Sequence, residues 1–274
     1  MLARINDHLQ ILLGELQGNS LEAFWFTKVS NAGDLVTPFL LRKYGFTPIL
    51  RWPPNTRFFG CGSILNHAPA DFTGYILGSG FLRAGPLNPL PHARVLALRG
   101  EKTRARINAP ASTPLGDPGL LVARFLTALP PRQYTLGLIP HYVDRDLGFF
   151  QKIHQRYPRE THFIDIQASP TQVIREIARC EFILSTSLHG VIFANSLHIP
   201  VIWPFVNSRE AERSFKFADY ASALKSELLP VHVSGDENLS ELLAQSWLPP
   251  TEEITATQTR LDQAFHTLQS ELLQ

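Results

Sequence analysis

The sequence predicts an α/β protein of two similar halves, each a parallel sheet flanked by helices, with a cleft between them. Three observations predict it. Short apolar runs alternate with helix-like segments along nearly the whole chain, Pro130-Pro131 interrupts that pattern near the middle, and polar, glycine-containing loops follow strand after strand. In such sheets ligands bind beyond the carboxyl ends of the strands, so those loops are expected to carry the chemistry.

In the first half, strands are expected near residues 23–28, 47–49, 57–61, 74–77 and 93–98. A helix opens near Asp34 with Leu35, Phe39 and Leu40 on one face, and residues 82–92, with Gly85, Pro86, Pro89 and Pro91, read as an exposed loop. Pro130 and Pro131 stop a short helix, and a fresh strand starts over 134–139. From there the pattern runs helix 147–156, strand 161–166, helix 171–178, strand 182–185, helix from His189 and strand 199–203, a doubly wound unit complete in itself. Ser169-Pro170-Thr171 is a good helix start. In the tail, Leu261, Phe265, Leu268 and Leu272 recur at three- and four-residue steps, which predicts a last helix laid across both halves.

Composition narrows the class of function. Of 274 residues, 44% are hydrophobic and 18% charged, which suits a well-cored soluble protein and excludes disorder or a fibrous repeat. With 25 basic and 24 acidic residues the net charge is +1, so bulk attraction to nucleic acid or an anionic membrane is not expected. Cys61 and Cys180 are too few for a disulfide framework and read as buried thiols in a reducing compartment. No apolar run reaches the roughly 18 residues of a spanning helix. Ile5, Leu9, Leu12, Leu13 and Leu16 fall at helical spacing near the N-terminus, which reads as a packing helix, or alternatively one resting on a membrane surface; Asp7, His8 and Glu15 break it as a signal peptide. A cytoplasmic location is expected.

Three loops stand out. Residues 30–38 place Asn31, Gly33 and Asp34 at a helix start, either as a turn whose N–H groups meet an anion or sugar hydroxyl, or as a plain cap by Asp34. Residues 95–107 end an apolar strand in Arg99-Gly100; Arg99 is expected to point into the cleft or onto the surface as a fork for phosphate or carboxylate, with Gly100 admitting the ligand. Lys102, Arg104 and Arg106 read as a solvated helix face. The third loop, in residues 181–203, is the strongest. Ser185, Thr186 and Ser187 end a buried strand, and His189-Gly190 opens an apolar helix whose dipole lowers the pKa of His189, suiting a neutral base or a proton carrier cycled by a bound anion. His198 reads as a turn residue. Ser63 and Ser79 follow two further strands beside glycines, and Asp117 reads as the cap of the next helix, or alternatively as a carboxylate facing the cleft. No metal-ligand spacing and no complete hydrolase elbow occur.

Taken together and in order, N-A-G-D (31–34), G-C-G-S (60–63), G-S-G-F (78–81), L-R-G-E-K-T (98–103), L-G-D-P (115–118) and S-T-S-L-H-G (185–190) resemble the polysaccharide pyruvyl transferase family from Phe24 to Tyr220. The resemblance implies a GT-B-like fold of two Rossmann-like domains facing a cleft: residues 1–130 on the acceptor side, 131–250 on the donor side, and 251–274 packing back. It also implies transfer of the carboxyethylidene group of phosphoenolpyruvate to two hydroxyls of a sugar, giving a ketal and phosphate, with no cofactor and no metal. By the same resemblance Arg99, Gly100, Ser187, Leu188, His189 and Lys216 meet the donor, and His189 carries protons. Asp34 is a second base or acceptor anchor, and Asn31, Gly33, Ser63 and Ser79 line the acceptor side. Some members carry an arginine where this chain has Ser187. The implied partners are phosphoenolpyruvate and a free, polymeric or lipid-linked sugar at the inner face of a membrane, with no nucleic acid. Two alternatives stand beside this: a nucleotide-sugar glycosyltransferase, for which Glu210 or Glu212 would hold ribose hydroxyls, and a non-catalytic glycan-binding module.

Overall fold

The computed structural model describes Gly14, residues 18–206 and residues 210–273. The N-terminal helix expected from Ile5, Leu9, Leu12, Leu13 and Leu16 lies outside these residues. Strands β1 (Ser20–Phe24), β2 (Thr47–Leu50), β3 (Phe58–Phe59), β4 (Tyr75–Leu77) and β5 (Arg94–Ala97) form one parallel sheet in the order β2-β1-β3-β4-β5. Strands β6 (Tyr134–Ile139), β7 (Thr161–Phe163), β8 (Cys180–Ser185) and β9 (Val201–Ile202) form a second, also parallel, in the order β7-β6-β8-β9. The helices are α1 (Val36–Lys43), α2 (Glu101–Ile107), α3 (Gly148–Arg156), α4 (Pro170–Ala178), α5 (Leu188–Ser196), α6 (Glu210–Ala223), α7 (Leu239–Leu243) and α8 (Thr251–Leu272). Among the described residues no helix is long and apolar enough to cross a membrane.

Most strands and helices fall within a few residues of their expected places, because each is an apolar run bounded by turn residues. The first strand does not. It ends at Phe24, because its register is set by pairing Ser20 through Ala23 with Thr47 through Leu50; Trp25 and Phe26 leave the sheet, and Phe26 reaches the cleft. The core face of α1 is also rotated from expectation. Val36, Leu40 and Leu41 are buried, while Leu35 and Phe39 stay half-buried, Phe39 edge-on to Phe125. Ser169 caps α4, its hydroxyl accepting from Gln172 N–H with Pro170 opening the helix, and the loop around Gly85 is exposed. Cys61 and Cys180 are buried free thiols, and His198 turns the chain in a left-handed conformation.

Between the sheets runs a 3-10 helix, Pro118–Phe125. Its Leu120, Leu121 and Val122 are buried in a core shared by α1, α4 and α5. Three further links join the halves. Ala32 N–H donates to the Ile166 carbonyl at 2.8 Å, with Ser30 and Gln167 bonded beside it. Asp219 of α6 accepts from Arg99, Thr103 N–H and the Thr103 hydroxyl. Finally, α8 stacks Phe265 on Tyr44 and pairs Glu271 with Arg94 of the first half, while its Thr257 hydroxyl donates to the Ala223 carbonyl and its Glu253 pairs with Lys225 of the second.

Candidate functional site

At the carboxyl ends of the strands lies a cleft of about 450 Å³. Loops of the first half bring Phe26, Asn31, Asp34, Ser63, Ile64, His67 and Leu82 to it. The second half brings His141, Tyr142, Ser187, Leu188, His189, Glu212 and Lys216. Seven residues chosen from sequence therefore meet in one cavity: Asn31, Asp34, Ser63, Ser187, Leu188, His189 and Lys216.

The loop after β1 is a turn held by Asn31, whose side-chain oxygen accepts from Gly33 N–H at 2.9 Å. The N–H groups of Ala32, Gly33, Leu35 and Val36 are all taken within the protein, so this loop does not present the row of free donors expected of it. Asp34 does not cap α1, which begins two residues later without a side-chain cap. Its carboxyl lines the cleft instead, where burial raises its pKa from 3.8 to about 7 against the lowering effect of Lys216. Gly33 is a seat rather than a sugar ligand: a Cβ there would come within 1.9 Å of His189 Nδ1.

The Asp34 shift has a measurable consequence. Between pH 3.8 and about 7 the folded chain keeps a proton that the unfolded chain has lost, so this group's contribution to stability falls as pH rises through that window and stays lost above it. Asp34→Asn removes the dependence. Its urea midpoint should exceed that of the wild type at pH 8 and not at pH 4; an equal offset at both values would contradict this assignment.

His189 sits in the first turn of α5. Its pKa is lowered, as the sequence implied, but burial is the main cause, with Lys216 and Arg99 adding to it and Asp117 opposing. Its Nε2 lies 3.2 Å from Cys61 Sγ, and Cys61 Sγ lies 3.1 Å from Asp117 Oδ1. With the thiol donating to Asp117, Nε2–H faces the sulfur and Nδ1 carries the lone pair. Asp117 caps the 3-10 helix through Gly119 N–H at 2.9 Å, as expected, and does this second job as well. The hydroxyl of Ser187 makes no cap bond to α5, and among the described residues no acceptor meets the N–H groups of Leu188 and His189. This helix end is open to an anion.

Lys216 of α6 makes no ion pair among the described residues. Burial lowers its pKa to about 8, helped by Arg213 and Arg99 and opposed by Glu212 and Asp144. Its helix is fixed to the loop after β6 by Arg213, whose Nη2 reaches both oxygens of buried Asp144 at 2.8 Å. That loop is held to β8 in turn, because His141 N–H donates to the Thr186 hydroxyl at 2.8 Å.

Three expectations are corrected. Arg99 points neither into the cleft nor onto the surface; it is 0% exposed, pairs with Asp219 at 2.9 Å, and donates to Ser63 Oγ and the Phe81 carbonyl, both at 2.6 Å. It is a buried anchor behind Ser63, possible because α6 supplies a carboxylate there. Gly100 admits no ligand: a Cβ would lie 1.7 Å from the Asp219 carbonyl oxygen, so the residue makes room for α6. Ser79 is fully buried, its hydroxyl donating to the Gly60 carbonyl. Phe26, Ile64, His67, Leu82, His141 and Tyr142 were missed, although Phe26, His141 and Tyr142 lie just past strands; Ile64 and His67 belong to the start and end of a short 3-10 helix, Leu65–His67. Glu212 lines the cleft but is ion-paired to Arg83 at 3.0 Å.

A lysine with no ion pair among the described residues, an open helix end, a carboxyl raised to about 7 and an imidazole lowered from its usual value by burial face one cleft, groups suited to acid–base chemistry beside an anion. The comparisons give the family. Residues 90–209 match the model of the polysaccharide pyruvyl transferase family, and the chain belongs to that family, transferases of polysaccharide biosynthesis. It is 30% identical over 214 residues to the uncharacterised protein L143 of Acanthamoeba polyphaga mimivirus, covering 72% of each chain. It is 28% identical over 211 residues to the succinoglycan biosynthesis protein ExoV of Rhizobium meliloti (strain 1021), covering 73% of this chain and 64% of that one, just under two thirds of its length. Among solved structures, the wall teichoic acid polymerase TagF aligns over 99% of this chain and 93% of its own, with a TM-score of 0.47 and 8% identity, too weak a likeness to assign a fold family.

Proposed function

We propose that this protein transfers the carboxyethylidene group of phosphoenolpyruvate onto two hydroxyls of one sugar in an exopolysaccharide or its lipid-linked repeat unit. The products are a pyruvate ketal and phosphate. The observation that carries the reading is the meeting of Lys216, the open first turn of α5, His189 and Asp34 around one cleft. Residues 1–130 would form the acceptor side and 131–250 the donor side of a GT-B-like arrangement, working in the cytoplasm.

The donor carries a phosphate and a carboxylate. Lys216 and the N–H groups of Leu188 and His189 would bind them, with Ser187 adding a hydroxyl. Binding these charges raises the pKa of His189, whose burial otherwise keeps it neutral, so the donor itself loads the imidazole with a proton. His189 then gives that proton to the methylene carbon, and the first sugar hydroxyl adds at the adjacent carbon while losing its proton. Departure of phosphate lets the second hydroxyl add and lose its own. Two protons leave the sugar, one ends on the new methyl group and one on phosphate, so the protein returns to its starting state. Asp34, poised at about 7, would accept from a hydroxyl. No metal is needed for these steps, because the lysine and helix end neutralise the donor.

Calorimetric titration with phosphoenolpyruvate tests the donor half without knowledge of the acceptor. Saturable binding should weaken as pH rises through about 8, where Lys216 loses its proton. Lys216→Gln should lower affinity by about tenfold or more and remove that pH dependence. Binding of nucleoside diphosphates in place of phosphoenolpyruvate would favour a glycosyltransferase.

A further inference from the structure

Behind His189 lie Cys61 and Asp117, two groups that the transfer chemistry does not use. Cys61 Sγ is 3.1 Å from Asp117 Oδ1 and 3.2 Å from His189 Nε2, and the ligand atoms of all three lie within 4.8 Å of one another. We propose that Cys61, Asp117 and His189 bind a thiophilic divalent cation, best suited to Zn²⁺, and that its occupancy takes His189 out of proton transfer. One sulfur, one imidazole nitrogen and one carboxylate oxygen are a donor set zinc accepts, with bonds of about 2.0–2.3 Å. A tetrahedron of such bonds sets neighbouring donors about 3.5 Å apart, so a small spreading of the present contacts admits the ion.

Asp117 gives an independent sign. It is fully buried, and among the described residues its Oδ2 has no hydrogen-bond partner, while Oδ1 is held by Gly119 N–H and the Cys61 thiol. A buried acceptor left over in this way is costly unless a cation meets it. Cys61 is oriented in turn by α1, where the Thr37 hydroxyl accepts its N–H at 2.9 Å. His189 is only partly buried and lines the cleft, which gives the ion an entry path and an open fourth position for water.

The charges balance. A thiolate beside a carboxylate is disfavoured here without a counter-ion, and burial with Asp117 holds the Cys61 thiol well above its usual range. The dication offsets both negative charges while the imidazole stays neutral. On binding, the thiol proton leaves to solvent and the imidazole proton passes from Nε2 to Nδ1, so one proton is released per ion. Nε2 then holds the metal and Nδ1 holds hydrogen, leaving His189 no lone pair. The inhibitory consequence rests on the proposed role of His189; the site itself does not.

The test is a titration of the reduced, tag-free full chain with Co²⁺, followed by the charge-transfer absorption of a thiolate on cobalt. The expected result is a band saturating at about one ion per chain, bleached by Zn²⁺, absent from Cys61→Ser and retained in Cys180→Ala. Should Cys61→Ser fail to fold, His189→Ala, altered at the cleft edge, is expected to weaken Co²⁺ binding at least about tenfold. No band in the wild type, or one that persists in Cys61→Ser or is lost in Cys180→Ala, overturns the proposal. Calorimetry with phosphoenolpyruvate on the metal-free chain reads the donor assignment separately, so either idea can fail alone.

Discussion

Urea unfolding of Asp219→Ala should show a loss of about 3–5 kcal/mol of stability, the cost of breaking a buried ion pair by removing one partner. The carboxylate accepts from Arg99 Nε at 2.9 Å, Thr103 N–H at 2.9 Å and the Thr103 hydroxyl at 2.6 Å, all away from solvent. Removing it leaves a guanidinium with no counter-charge and the Thr103 N–H and hydroxyl without their acceptor. Such a loss is a large fraction of a typical domain's total stability. Arg99→Met in the same background should add much less than it costs alone, because the two residues act as one unit. A small effect of Asp219→Ala, or strict additivity of the pair, would contradict the anchor role. The same reasoning makes Arg99→Ala a poor probe of donor binding, since its folding defect would mask any change in the cleft.

The second large effect concerns rate. His189→Gln should slow phosphate release from phosphoenolpyruvate, in the presence of a competent glycan acceptor, by about 10²–10⁴-fold. Glutamine keeps a hydrogen-bonding group over Gly33 but cannot cycle a proton. Calorimetric affinity for phosphoenolpyruvate should fall far less than the rate, because Lys216 and the α5 N–H groups remain. Near-normal turnover by a folded variant would remove His189 from the chemistry.

The sequence was most legible where the physics is local. Apolar runs between turn residues located the strands, Ser169-Pro170 fixed the start of α4, and the rule that ligands meet strand ends found Asn31, Asp34, Ser63 and Ser187 through His189. Arg99 was misjudged because its partner Asp219 is 120 residues away, and no spacing rule signals a carboxylate delivered by a distant helix. Gly100 fell with it, since what approaches its backbone is that same helix. The grouping of Cys61 and Asp117 with His189 escaped for the same reason: the three come from separate segments, and metal-ligand spacing is readable only within one. His141 and Tyr142 were within reach. They follow Ile139-Pro140 at the end of β6, the kind of position that flagged the other loops.

The links between the two sheets also limit how ligands come and go. A hinge needs a seam that water can enter, yet here the seam holds a fully buried ion pair, a buried 3-10 helix and a 22-residue helix bonded to both sides. Rotating one half against the other would expose all of it, so admission and release fall to the cleft mouth, where His67 faces solvent. The cleft is therefore braced from behind by groups of both halves. On the proposed transfer, the donor-binding charges are in place before any ligand arrives, and the acceptor comes to an opening already shaped for it.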